Sequence, residues 1–162
     1  MHNVFLLLGS NMGNSLNLIK YASEEISQRI GKITKKSSVY KSEPWGFIAE
    51  TFFLNQVIKV TTELTPDLIL DAILKIEDKL GRKRTQSNYE SRTIDIDILF
   101  YDNLQLDTPR LTIPHPKIGE RRFVLVPLNE LEPEKYHPVL QINMKELLWI
   151  CPDRLKVERL VE

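Results

Sequence analysis

Apolar residues are spaced along this chain in three ways, and the spacing predicts its elements. An unbroken run, Val4 to Leu8, stops at Gly9-Ser10-Asn11 and reads as a buried first strand ended by turn chemistry. Leu16, Ile19, Ile26 and Ile30 then recur at helical spacing until Gly31. Residues 33 to 41 alternate loosely around Val39 and Tyr40, a second strand, and Ser42-Glu43-Pro44-Trp45-Gly46 opens a long connection. Phe53 to Thr62 is rich in β-branched and aromatic residues and predicts a third strand. Thr65-Pro66-Asp67 is a helix start: a hydroxyl cap, proline at the first helical position and an acid in the first turn. The helix carries Leu68, Ala72, Ile76 and Leu80 inward and ends at Gly81. A fourth strand follows at 93 to 100, and Asp102-Asn103 turns the chain towards Leu104 to Leu106.

The order β, α, β, β, α, β predicts an α+β fold with a ferredoxin-like core, two helices covering one face of an antiparallel sheet. Residues beyond 107 form a C-terminal elaboration: Ile113-Pro114-His115-Pro116, a basic turn at Arg121-Arg122, the apolar run Phe123 to Leu128 and an amphipathic helix around Met144 to Trp149. This tail is expected to cover part of the other sheet face and leave a valley there.

The fourth strand carries the chemistry. In Arg92-Thr93-Ile94-Asp95-Ile96-Asp97-Ile98-Leu99, side chains alternate faces, so Asp95 and Asp97 project together, roughly 7 Å apart at their origins, and the isoleucines project oppositely. Two hard oxygen donors on a rigid element suit magnesium, which completes its shell with water and phosphate oxygens. The plain alternative is the solvated face of an amphipathic strand. Arg82, Lys83, Arg84 and Arg92 feed into this strand against only Glu90, supplying cations for a phosphate chain beside the carboxylates. His115, held between two prolines, and Arg121 are candidates for a second anion-binding segment. Asn55, an amide in an apolar strand, with Trp45, Phe53 and Phe123 nearby as flat surfaces, suits a planar heterocycle that carries its own donor and acceptor edge.

With 162 residues the chain is expected to be one domain, 1–162. Its 22 basic and 22 acidic residues cancel, which removes a global reason to bind nucleic acid or an anionic membrane. Cys151 is the one cysteine, which excludes an intramolecular disulfide framework and fits a reducing cytoplasm. No apolar segment approaches the roughly 20 residues a membrane span needs. Two other functions fit parts of the pattern: a different magnesium-dependent phosphoryl or nucleotidyl transferase, and an RNA-binding sheet, whose basic-glycine-aromatic signature strand 3 lacks.

LGSNMGN, YKSEPWG followed by FLNQV, IEDKLGRKR, RTIDIDILFYDN, LTIPHP and RRFVLVPLNEL occur in this order across nearly the whole chain. Together they resemble the 6-hydroxymethyl-7,8-dihydropterin pyrophosphokinase family of folate biosynthesis. The resemblance implies transfer of pyrophosphate from ATP to the pterin hydroxymethyl oxygen, releasing AMP. It implies two magnesium ions on Asp95 and Asp97, catalytic roles for Arg82, Arg92 and Asp97, and triphosphate contacts from Arg84, Arg92, His115 and Arg121. Glu77 and Arg110 would lie near the ribose, and the backbone of Ile98 and Thr112 would face the adenine. Asn55 would read the pterin edge between Phe53 and Phe123, with the backbone of Ser42 and Trp45, and Asp95, contributing. It further implies that the polar loop 82 to 92 closes on ATP. The chain departs from common family residues at Phe53, Tyr89, Ser91 and Pro116. A cytoplasmic monomer acting on small molecules alone is expected.

Overall fold

The sheet is organised around its first strand. In the computed structural model, which describes residues 1–11, 15–43, 52–81 and 94–160, β1 (His2–Ser10) is antiparallel to two later strands, β4 (Phe53–Thr62) and β5 (Asp95–Tyr101). β2 (Lys32–Lys36) and β3 (Tyr40–Ser42) share β4 as partner, and β8 (Val157–Arg159) adds to β3. The order β5-β1-β4-β3-β8, with α1 (Ser15–Arg29) and α2 (Pro66–Lys79) as crossovers, is the ferredoxin-like arrangement extended by one terminal strand.

The second strand expected over 33 to 41 is broken. Ser37 N donates to Val57 O at 2.8 Å, and Ser37 Oγ accepts from Val57 N at 3.0 Å, so a side-chain oxygen takes the place of a ladder carbonyl. The strand kinks there and resumes as β3. A serine that satisfies the backbone from its own side chain is invisible to apolar periodicity.

Both sheet faces are covered, which explains the unbroken apolar run of β1. Val4, Leu6 and Leu8 join Ile58, Val60, Ile94, Ile96 and Ile98 beneath α1 and α2. Phe5, Leu7, Val57, Leu99 and Phe100 join Val124, Leu125, Leu128, Met144 and Leu147 of α3 (Arg122–Leu131) and α4 (Met144–Ile150). The tail thus covers part of the second face as expected. Asn129 Nδ2 ties α3 to α4 by donating to Leu125 O and Met144 O at 2.8 and 2.9 Å.

In α2 the fully buried stripe is Ile69, Ile73 and Ile76; the expected Ala72 and Leu80 pack at its border, and the expected Leu68 is instead 50 % exposed. The helix is apolar on more than half its circumference, so two stripes fit the helical period and the isoleucine face packs inward. Thr65 caps it as expected, its side chain accepting from Leu68 N at 3.4 Å. Among the described residues no helix is long and apolar enough to cross a membrane.

Candidate active site

The face of the sheet that α3 and α4 leave partly uncovered is built from one rank of residues. Asp95 of β5 pairs with Gly9 of β1, Gly9 pairs with Asn55 of β4, and Asn55 pairs with Tyr40 of β3. Neighbouring strands lie about 4.8 Å apart, so Asp95 and Asn55 stand roughly 10 Å from one another across a position without a side chain. Asp97 occupies the next rank beside Leu7 and Val57. Both aspartates are half-buried, whereas Ile94, Ile96 and Ile98 are buried on the opposite side, as alternation predicts.

Gly9 was expected to belong to the turn after the first strand. The structure keeps it within β1, where a Cβ would stand 3.0 Å from Asn55 Oδ1. Asn55 is 3 % exposed and donates from Nδ2 to the buried Ser42 Oγ at 3.0 Å. That bond fixes which amide end points to β3 and turns Oδ1 over the glycine. Phe53 follows on the same face of β4, half-buried, opposite Ser42.

A β-bulge brings in the second segment. Phe5 pairs with Phe100 and Leu6 with Ile98, which leaves Leu99 as an extra residue in β5. Leu99 O accepts from His115 N at 3.0 Å, tethering the loop after β7 (Thr112–Ile113) beside the aspartate strand. Burial lowers the His115 pKa from its ordinary value, the charge of Asp97 opposes this, and Arg121 and Lys117 add to the lowering. Lys117 N donates to His115 Nδ1 at 3.1 Å, so in the neutral ring the proton sits on Nε2, available to an anionic oxygen. Arg121 caps the start of α3 with its guanidinium 5.7 Å from the Phe123 ring. Asp153 Oδ2, from the C-terminal segment, accepts from Arg122 N at 2.9 Å and so finishes the helix start that carries these two residues.

The residues expected at the nucleotide are on different elements. Ile98 lies in β5, the edge strand of the sheet. Thr112 lies in β7, which pairs with β6 (Leu106–Asp107), and its Oγ1 donates to Asp107 Oδ1 at 3.3 Å. Arg110 is ion-paired with Asp71 and, at 3.4 Å, with Asp67 of α2. Glu77, expected near the ribose, is 3 % exposed, and its Oε2 accepts from Ile96 N at 2.9 Å. Trp45, Arg82, Arg84 and Arg92, and with them the loop 82 to 92, lie outside the described residues.

Sequence reading missed Gly9 as the bare floor, the extra residue Leu99, Tyr40 at the end of the rank, and Asp153. Only the register between strands reveals the first three; no local pattern marks them. Hard oxygens from Asp95 and Asp97, both half-buried, suit magnesium bound together with phosphate oxygens. Among the described residues no group of three or more His, Cys, Asp or Glu forms an all-protein metal cage. A cation held here would take the rest of its shell from water and substrate.

Residues 5–133 match the model of a family described as 7,8-dihydro-6-hydroxymethylpterin-pyrophosphokinase. The chain is 40 % identical over 146 residues to the 2-amino-4-hydroxy-6-hydroxymethyldihydropteridine pyrophosphokinase of Aquifex aeolicus, spanning 90 % of each protein. It is 39 % identical over 135 residues to the protein of that name from Methylorubrum extorquens, spanning 83 % of this chain and 85 % of that one. A crystal structure of Plasmodium falciparum HPPK-DHPS shares the fold, with a TM-score of 0.75 at 19 % identity over 91 % of this chain. The chain spans 44 % of the length of that larger protein.

Proposed function

The chain belongs to the 7,8-dihydro-6-hydroxymethylpterin-pyrophosphokinase family, and from that premise we propose how its own residues divide the work. It is a pyrophosphokinase of folate biosynthesis, transferring pyrophosphate from ATP to 6-hydroxymethyl-7,8-dihydropterin. The pterin hydroxyl oxygen attacks the β-phosphorus, the bond from that phosphorus to the oxygen retained by AMP breaks, and the hydroxyl proton is lost. Such a reaction asks a protein for positioning and charge rather than covalent chemistry.

The rank Asp95–Gly9–Asn55 carries the assignment. The pterin lies over Gly9, its polar edge meeting Asn55 with Ser42 behind, and Phe53 and Phe123 supply flat faces. Trp45 joins them from outside the described residues. Asp95 and Asp97 would hold two magnesium ions, whose charge would offset that of the triphosphate and favour loss of the hydroxyl proton. His115, through Nε2–H, and Arg121 approach the phosphates from the bulge side. Arg82, Arg84 and Arg92 are assigned the remaining phosphate charge by family motif. The adenine meets the β5 edge at Ile98 and the backbone of Thr112, and Arg110 lies near the ribose. The protein acts as one domain, 1–162, a cytoplasmic monomer working on small molecules without nucleic acid or membrane; balanced charge and a single buried cysteine support this.

The test is turnover to AMP and pterin diphosphate with ATP, magnesium and the pterin, comparing the wild type with Asp97→Ala. The variant is expected to stay folded and to lose at least about 100-fold in kcat. Near-normal turnover would remove Asp97 from the metal site.

A further inference from the structure

Glu77 is, among the described residues, the one carboxylate in the buried class. Enclosing a carboxylate is costly unless it is hydrogen-bonded, and here Oε2 accepts from Ile96 N at 2.9 Å. The position of that donor matters. Among the described residues β5 ends the sheet and pairs with β1 alone, so alternate backbone groups of β5 face away from that ladder. Ile96 N is one of them, and the last turns of α2 deliver Glu77 to it where a further strand would otherwise pair. Ile96 is the residue between Asp95 and Asp97, and its N–H shares a peptide plane with the Asp95 carbonyl.

We propose that Glu77 is a positioning residue for the aspartate pair: by clamping the Asp95–Ile96 peptide from behind, it fixes the directions in which both carboxylates leave the strand. The proposal rests on the reading of Asp95 and Asp97 as magnesium ligands. It replaces a ribose contact with a structural link between α2 and the chemistry on the far side of the sheet. An edge strand without this clamp twists freely at the point where two ligands must hold a fixed separation.

Three variants test it. Glu77→Leu keeps bulk and removes the acceptor, Glu77→Gln keeps a weaker acceptor, and Asp97→Asn calibrates the metal reading. Manganese affinity is measured by electron paramagnetic resonance in the presence of α,β-methylene ATP, Ile96 amide exchange by NMR, and turnover with ATP and with 2′-deoxy-ATP. Glu77→Leu is expected to lower manganese affinity and kcat by about 10-fold each, with Gln intermediate, as removal of a ligand-orienting partner does elsewhere. Ile96 exchange accelerates in the same order, and the ratio of ATP to 2′-deoxy-ATP turnover is unchanged. If Glu77→Leu does not fold, Glu77→Gln alone decides: unchanged manganese affinity and exchange overturn the proposal. A collapse of the ATP to 2′-deoxy-ATP ratio in either Glu77 variant overturns it in favour of a ribose contact. If Asp97→Asn also leaves manganese affinity intact, the metal reading fails and takes the proposal with it; a shift in Asp97→Asn without one in Glu77→Leu overturns the clamp alone.

Discussion

Gly9 and Asn55 sit opposite one another on β1 and β4 so closely that any Cβ at position 9 would stand 3.0 Å from Asn55 Oδ1. The amide cannot yield freely, because its other end is bonded to Ser42 Oγ. Gly9→Ala should therefore leave the fold intact and disturb the amide assigned to the pterin edge. A misaligned buried amide forfeits on the order of 1 to 2 kcal/mol, so pterin affinity is expected to fall about 10-fold with ATP affinity unchanged. Fluorescence titration with the pterin and calorimetry with an ATP analogue measure the two; equal losses for both ligands would contradict the assignment of Asn55.

Glu130 of α3 gathers the broken strand. It accepts from Tyr40 Oη at 2.6 Å, from Ser38 N at 2.9 Å and from Ser38 Oγ at 3.0 Å. Partial burial pushes its pKa up, but bonds from Tyr40 and Ser38 outweigh that and hold it below the ordinary carboxylate value. A carboxyl lowered in the folded state binds fewer protons there than in the unfolded chain. Its stabilisation is present above the ordinary carboxylate range and is lost as pH falls through the lowered folded value. Glu130→Gln is expected to cost about 1 kcal/mol at neutral pH, discounted for exposure, and to approach the wild type in strong acid. Urea midpoints at several pH values give the comparison.

Tyr40, the partner of that carboxylate, has its hydroxyl pushed up to about 12 by burial and then by the Glu130 bond. The folded state keeps this proton longer than the unfolded chain does, so the contribution is complete below the ordinary tyrosine range and is lost as pH rises towards 12. Ultraviolet titration of the phenolate should show a late step that moves to lower pH in Glu130→Gln.

Asp153 closes the start of α3 from a distant part of the chain, since Arg121 at the cap position makes no side-chain cap hydrogen bond to that turn. Asp153→Ala is expected to cost about 1 kcal/mol. Because Arg121 and Phe123, assigned to the phosphates and the pterin, ride on that first turn, KM should rise for both substrates, and a stability loss with unchanged KM values would limit the aspartate to capping.

In the first core, Ile73 of α2 is enclosed by the sheet and α1. Ile73→Ala should lower stability by about 3 kcal/mol in denaturant titration, with substrate KM values preserved because the site lies on the other face.

Much of this was legible from spacing alone. The alternation of Asp95 and Asp97 against three isoleucines fixed which face holds chemistry, and the Thr65-Pro66-Asp67 start placed α2. Features that depend on pairing were not legible. Nothing local distinguishes a glycine that ends a strand from one that lets another strand's amide lie over it, as Gly9 does. The extra residue Leu99 is likewise apolar in an apolar run, and only its partners on β1 show that the ladder has slipped. Glu77 was read for its family motif, while its position relative to β5 depends on how α2 crosses the sheet.

β1 gives Val4, Leu6 and Leu8 to one core and Phe5 and Leu7 to the other. It is a shared wall, so neither core can dissolve while its neighbour stands. Melting is then all-or-none, and the glycine on that wall, with the carboxylates and amide paired to either side of it, loses its arrangement with the first molecules that open. Loss of catalysis and loss of structure should trace a single curve, with no range of temperature or denaturant in which an intact fold carries a dead site.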